Sequence, residues 1–140
     1  MDSELMDLAR RAVACRGWRW MAGVRTMAPS GDYYRAVGSG ETGCFVRESD
    51  AAILAYGGGC AAEQLYNSLP DLTDPATLGC LLALVREAHG TCSALHDADD
   101  GDWWLVRAAS LLDDKKRALA LTDPHDTEPA ALVAALEAAP

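Results

Sequence analysis

The stretch that decides the fold is LPDLTDPATLGCLLALVREAHG, which spans residues 69–90. It contains the start, the apolar face and the end of one helix. Asp74 is a natural N-cap, and Pro75 occupies the first helical position, where its missing N–H costs nothing. Gly90 can end the helix in a left-handed conformation. Apolar side chains recur at i, i+3, i+4 and i+7: Leu78, Leu81, Leu82 and Val85. The sequence therefore predicts a central buried helix over residues 75–89.

Helical and strand-like patterns alternate around this central helix. Amphipathic patterns predict an N-terminal helix over residues 3–15 and a C-terminal helix from about residue 128, capped by Thr127. The strand-like runs are residues 18–21, 24–27, 33–37, 44–47, 51–56, 91–95, 103–108 and 117–121. The order helix, strands, helix, strands, helix predicts one α+β domain over residues 1–140, with an antiparallel sheet of several short strands.

The charge is strongly negative and unevenly distributed. The net charge is −9, and residues 91–140 hold 10 acidic against 4 basic residues. Proteins that bind nucleic acids present basic surfaces, so this part of the chain is not expected to bind DNA or RNA directly. An acidic surface instead favours encounter with a basic partner.

The amount of apolar residues and their distribution along the chain predict a folded protein that stays in the cytoplasm. Half of the residues are apolar, which is typical of a globular protein rather than a disordered one. No apolar run approaches the roughly 20 residues that cross a bilayer. The N-terminus lacks the basic-then-apolar order of a signal peptide. We therefore expect a cytoplasmic protein without membrane contact.

Two Asp-rich turns concentrate the negative charge of the C-terminal part. The first spans residues 97–102, and the second spans residues 113–116. Acids and a glycine between two strand-like runs predict that the first turn closes a hairpin. The candidate partner-binding residues are the carboxylates of both turns and the adjacent tryptophans: Asp97, Asp99, Asp100, Asp102, Asp113, Asp114, Trp103 and Trp104. Trp103 and Trp104 point to opposite faces of a strand, so at least one should be partly exposed. A solvated turn and a tryptophan that covers a sheet face are the plainer interpretations.

The sequence contains no pattern that predicts catalysis or a bound metal. Counted from Asp97, glycine falls at position 5 and Ala108 at position 12, so the register of an EF-hand calcium loop fails. His89, Cys92 and His96 offer metal ligands without a convergent spacing. The five cysteines form no CxxC pair and are expected to be reduced. We predict no cofactor, no metal and no enzymatic activity.

Residues 70–88 resemble a group of small uncharacterised phage and prophage proteins of GC-rich bacteria. The shared features are a Pro-Asp-Leu-x-Asp-Pro-x-Thr helix entry and a following Leu-x-Leu-Val-Arg-Glu-Ala segment. The resemblance extends to residues 17–23 and 128–140, and it departs at His89, where tryptophan is common in the group. It implies a viral origin and a helix–sheet–helix domain. It carries no known activity, so it assigns no functional residues.

Two classes of function fit a small acidic viral protein without a catalytic pattern. The first is an inhibitor of a host nucleic-acid-binding defence complex, similar to anti-CRISPR proteins, whose carboxylates imitate phosphate in a basic channel. Its partner would be a host protein or complex with a basic surface. The second is a phage structural or accessory module that binds other proteins through tryptophan and alanine surfaces. With either function the protein could act as a monomer or as a homodimer.

Overall fold

The computed structural model describes residues 2–28, 30–38, 44–50, 68–99, 101–108 and 119–140. Within these ranges the helices are α1 (Ser3–Ala14), α2 (Pro75–His89) and α3 (Glu128–Glu137). The strands are β1 (Arg25–Met27), β2 (Tyr33–Ala36), β3 (Phe45–Arg47), β4 (Cys92–Asp97), β5 (Trp103–Ala108) and β6 (Leu119–Ala120). A short 3-10 turn, Glu48–Asp50, follows β3. The predicted strand over residues 51–56 lies outside the described residues.

The strands of the described chain form two antiparallel sheets. β1, β2 and β3 are neighbours in the first sheet, and β4, β5 and β6 in the second. The α+β class, with an N-terminal, a central and a C-terminal helix, is confirmed. The predicted single sheet is divided in two because the strands before and after α2 bury their apolar side chains in separate clusters.

The larger apolar cluster joins all three helices to the second sheet. Its buried members include Ala9, Ala12, Leu72, Leu81, Leu84, Val85, Cys92, Val106, Leu132, Val133 and Leu136. The smaller cluster lies on the first sheet and contains Trp20, Val24, Ala28, Tyr34, Ala36 and Phe45. Trp18 and Met21 pack against both clusters. The segment between α1 and β1 therefore connects the two halves of the core.

α2 begins and ends as the sequence predicts, but its buried face is rotated. A carboxylate oxygen of Asp74 accepts a hydrogen bond from the backbone N–H of Thr77, and Gly90 closes the helix at φ +80°. The buried side chains are Thr77, Leu81, Leu84 and Val85. Leu78 and Leu82 are only partly buried. The predicted buried face of α2 was therefore wrong by part of a helical turn. The polar side chain of Thr77 faces inward because it joins a hydrogen-bond network.

The predicted strand over residues 18–21 is wrong except for a single bridging residue, Trp20. The rings of Trp18 and Trp20 contact each other edge to face, with centroids 5.5 Å apart. This contact fills the junction between the two clusters, and the backbone that positions the two rings is not a regular strand. At the N-terminus, α1 ends at Ala14, and Asp2 occupies its N-cap without a side-chain hydrogen bond.

None of the described helices has both the length and the apolar character that a membrane span requires.

Five charged side chains meet between the first sheet and the start of α2, and we call them the Asp74 cluster: Arg25, Arg35, Glu48, Asp71 and Asp74. Both guanidinium ends of Arg35 donate to the carboxylate of Asp74, at 3.1 and 3.0 Å. Arg35 also lies 2.8 Å from Glu48. Asp71 and Asp74 are only 4% and 5% exposed. Buried carboxylates require such partners, because an unpaired buried charge is strongly destabilising.

The hydroxyl of Thr77 connects the Asp74 cluster to the backbone of β1. The backbone N–H of Arg25 donates to the hydroxyl of Thr77 at 2.9 Å, and that hydroxyl donates to Asp74 at 3.0 Å. The Arg25 guanidinium stacks on Tyr33, 3.7 Å from the ring centroid. Burial acts to raise the pKa of Asp74, but the hydrogen bonds from Arg35 and Thr77 together outweigh it and hold that pKa below its usual value.

Leu81→Ala is expected to lower the free energy of unfolding by roughly 2–5 kcal/mol through lost burial and a new cavity. Leu82→Ala is the matched control and should cost less, because Leu82 is only partly buried whereas Leu81 is 1% exposed. Urea titration of both variants measures the difference. Equal costs would contradict the observed rotation of α2.

Asp74→Asn is expected to lower the free energy of unfolding at neutral pH by roughly 1–3 kcal/mol, because asparagine still caps the helix but loses the charged bonds to Arg35. A carboxyl whose native pKa is depressed stabilises the fold above its unfolded pKa, here near 3.8, and this contribution is lost as the pH falls through the native value. The difference between wild type and variant should therefore shrink below about pH 4.

Denaturant titrations between neutral and acidic pH test this expectation. The control is Glu4→Gln, which neutralises an exposed carboxylate in α1. If the wild type and Asp74→Asn keep a constant difference down to pH 2, the ion pair does not cause the acid dependence.

Candidate functional site

The first Asp-rich turn closes the hairpin of β4 and β5, as predicted. The register pairs Asp97 with Trp103 and His96 with Trp104 at the tip. β4 extends to Asp97, two residues beyond the predicted strand. The backbone of the turn is left-handed at Gly101 (φ +104°) and Asp102 (φ +54°). Aspartate tolerates this conformation better than most side chains, which explains why the turn accepts a carboxylate there.

The carboxylates of this turn fall into two environments. One oxygen of Asp97 accepts a hydrogen bond from the backbone N–H of Asp99 at 3.0 Å, which stabilises the turn. Asp99 is exposed, and the side chain of Asp102 is 81% exposed. Asp102 contacts Nε2 of His96 at 2.5 Å. The turn therefore holds Asp97 as a structural acceptor and presents Asp99 and Asp102 to solvent.

The first turn contains one further predicted acid, and the second turn contains two. Asp100, Asp113 and Asp114 lie outside the described residues. That the carboxylates of both turns bind a partner stays a prediction. The geometry of the candidate site is therefore that of the hairpin alone.

Trp103 and Trp104 lie on opposite faces of β5, and both are partly buried, so the expected partial exposure is confirmed. Trp104 packs against the larger cluster, and His96 stacks on its ring at 4.6 Å. The backbone of Trp104 exchanges hydrogen bonds of 2.7 and 2.8 Å with His125. Trp103 shares the opposite face with Leu95, which is 39% exposed. Trp104 therefore packs against the larger cluster, whereas Trp103 lies on the face of β5 that points away from it.

The three candidate metal ligands serve separate structural purposes. Nε2 of His89 donates to the carbonyl of Ala135 at 2.7 Å, because a carbonyl can only accept. Cys92 is buried in the larger cluster, and His96 contacts Asp102. Within the described ranges no group of three or more potential ligands is close enough to hold a metal ion.

A groove of about 620 Å³ between the helices was not predicted from the sequence. Cys15, Trp18, Leu84 and Leu136 are among the residues that line it. Charged pairs flank it: Arg11 donates to both carboxylate oxygens of Glu137, and Arg19 does the same to Glu87. These partners are 126 and 68 residues apart in the chain, so no local pattern could have identified them.

No family model matches the chain, and no curated protein or solved structure matches it. The resemblance to small phage proteins therefore stays a prediction.

The cysteines are expected to differ in reactivity according to burial. Cys15, Cys44, Cys80 and Cys92 are free thiols, and burial raises the pKa of Cys15, Cys80 and Cys92. Since the thiolate is the reacting species, exposed Cys44 should be alkylated first of these and Cys92 last. Timed iodoacetamide labelling with peptide mapping measures the order. Fast labelling of Cys92 in the folded protein would contradict its placement in the core.

Proposed function

We propose that this protein is a non-enzymatic, phage-encoded binding protein whose acidic hairpin engages a basic surface of a host protein or complex. The observation that carries this proposal is the exposure of the Asp99 and Asp102 carboxylates at the hairpin tip. In the described part of the tip, Asp97 accepts a hydrogen bond from the backbone N–H of Asp99, and Gly101 and Asp102 have left-handed backbones. Local structure of this kind reduces the conformational freedom that is lost on association, which favours affinity.

The more specific form of the proposal is inhibition of a host nucleic-acid-binding defence complex, in the manner of anti-CRISPR proteins. Exposed carboxylates on a turn can accept bidentate hydrogen bonds from arginine, as phosphate oxygens do. The net charge of −9 would speed encounter with a basic channel and oppose binding to nucleic acid itself. The protein would then act by occupying the channel and needs no catalytic group.

The alternative is a phage structural or accessory module that binds another protein through an apolar surface. Leu95 and Trp103 favour it, because they lie partly exposed on the same face of the hairpin. Aromatic side chains are frequent hot spots in protein interfaces. The two functions differ in salt dependence, since carboxylate–arginine recognition weakens with ionic strength and apolar docking does not.

Asp99→Asn combined with Asp102→Asn is expected to weaken partner binding by about 1–3 kcal/mol at low salt, because both charged acceptors are lost. Asparagine also tolerates positive φ, so the turn should keep its conformation and the protein its thermal stability. Glu4→Gln with Asp7→Asn removes the same charge from α1 and is the matched control. Affinity capture from lysate of the bacterial host at low and high salt, followed by titration of the captured protein, measures the effect.

Competition with nucleic acid tests the phosphate-mimic form of the proposal. An excess of the DNA or RNA that the captured protein binds should displace this protein from it. Failure of displacement would contradict phosphate mimicry. Equal affinity of the hairpin variant and the wild type at low salt would contradict the role of the acidic tip altogether and favour the surface around Trp103.

A further inference from the structure

The backbone of β4 has one edge that no described strand covers. β4 is the terminal strand in the sheet order β4–β5–β6. It spans Cys92–Asp97 and pairs with β5 without a bulge over its whole length. Its sequence, CSALHD, contains no lysine, arginine or proline. Native edge strands usually carry charged side chains, proline or bulges to prevent pairing with another chain, and in β4 the only such residue is Asp97, at the turn. The part of the edge before Asp97 therefore favours pairing.

The hydrogen bonds of β5 show which groups of β4 point to this edge. Trp104 and Val106 direct their backbone groups away from β4, towards His125, Leu121 and the Thr122 hydroxyl. Their neighbours in β5 must therefore bond to β4, since backbone groups alternate in direction along a strand. Leu105 pairs with Leu95, so Leu95 bonds inward. The neighbours of Leu95 on either side, Ala94 and His96, consequently point their N–H and C=O groups to the open edge.

Arg86 marks where this open edge ends. Nε of Arg86 donates to the carbonyl of Cys92 at 2.9 Å. Cys92 belongs to the same alternating set as Ala94 and His96, so its carbonyl also points outward. The guanidinium of Arg86 thus caps the first outward carbonyl and lies beside the start of β4. Within the described ranges no other backbone group bonds to the outward groups of Ala94 and His96, so these are the groups that a pairing strand would use.

We propose that two copies of this chain associate through β4, antiparallel, with the symmetry axis at Leu95. In this register Ala94 of each copy exchanges both backbone hydrogen bonds with His96 of the other, and Arg86 keeps its bond to Cys92. The exposed Leu95 side chains meet at the axis, where the Cα atoms of a non-hydrogen-bonded pair lie about 4.5 Å apart. Burial of this side chain, 39% exposed in the single chain, favours the pairing.

Charge complementarity favours the same register. Antiparallel pairing brings the start of one β4 against the end of the other, so Arg86 of each copy faces the acidic turn at Asp97 and Asp99 of its neighbour. Asp97 falls opposite Ser93, and no two carboxylates are placed opposite each other. A register centred on Ala94 would instead require His96, inside β4, to bond to Cys92, whose carbonyl Arg86 already occupies. In the proposed register the residue opposite Cys92 is Ala98, which lies beyond β4 and makes no pairing bond. The product is one continuous sheet, β6–β5–β4–β4–β5–β6, with a hairpin tip on each side of the axis.

Sedimentation velocity over a range of concentrations tests this association. The wild type is expected to shift from the 14.9 kDa chain to twice that mass as concentration rises. Leu95→Lys should abolish the dimer, because two ammonium groups would meet across the axis. Val37→Lys is the matched control: Val37 is also exposed, at 47%, but follows β2 in the other sheet, and its variant should dimerise like the wild type. A wild type that stays monomeric, or a Leu95→Lys variant that still dimerises, overturns the proposal.

Cysteine cross-linking tests the register separately. In Leu95→Cys the two new thiols would lie within the Cα separation of about 4.4–6.8 Å that a disulfide spans. In Ser93→Cys the same register separates the two new residues by about 13 Å along the strands. Mild oxidation should therefore give a covalent dimer of Leu95→Cys and leave Ser93→Cys at the background of the wild type. Cross-linking of Ser93→Cys in preference to Leu95→Cys overturns the proposed pairing.

Discussion

The structure depends on the carboxylate of Asp74, which satisfies two requirements at once. It accepts the hydrogen bond of Thr77 that begins α2, and it receives both guanidinium ends of Arg35 from β2. The first sheet and the central helix are thereby joined at a point that is almost fully buried. Because an uncompensated charge at this position would be destabilising, docking of the first sheet against α2 supplies the partner that the buried carboxylate requires.

The position of the hairpin follows from this junction through α2. The helix is fixed at its start by Asp74 and ends at Gly90, directly before β4. Arg86, in its last turn, bonds to the backbone of Cys92 and so sets the beginning of the strand. Val85 and Val106 share the larger cluster with α3. The hairpin thus has a rigid base in the core, and its acidic tip is held in solvent.

The acids discussed above, among the described residues, form an internal and an external set with different consequences. Inside, Asp71 and Asp74 are matched with Arg25 and Arg35, and their cost of burial is offset by ion pairs. At the hairpin tip, the carboxylate of Asp102 faces solvent and interacts with a histidine. Internal acids therefore contribute to the fold, whereas the external acids give the protein its negative surface. The proposed partner and the proposed dimer use different parts of the same hairpin, its tip and its edge.

Local patterns in the sequence determined the secondary structure wherever a single residue type dictates backbone geometry. Asp74, Pro75 and Gly90 defined α2, Thr127 defined the start of α3, and the Asp-Gly turn defined the hairpin. Capping and turn formation are local, since the donor and acceptor lie within a few residues of each other.

Only the tertiary structure decided which face of α2 is buried, how the strands divide into two sheets, and which charges pair. Thr77 is buried because Arg25, 52 residues away, donates to its hydroxyl, and no helical period predicts that contact. The candidate site shows the same limit. The sequence located the acidic turn, but only the sheet order showed that no described strand covers one edge of β4, because pairing between distant strands depends on the packed core beneath them.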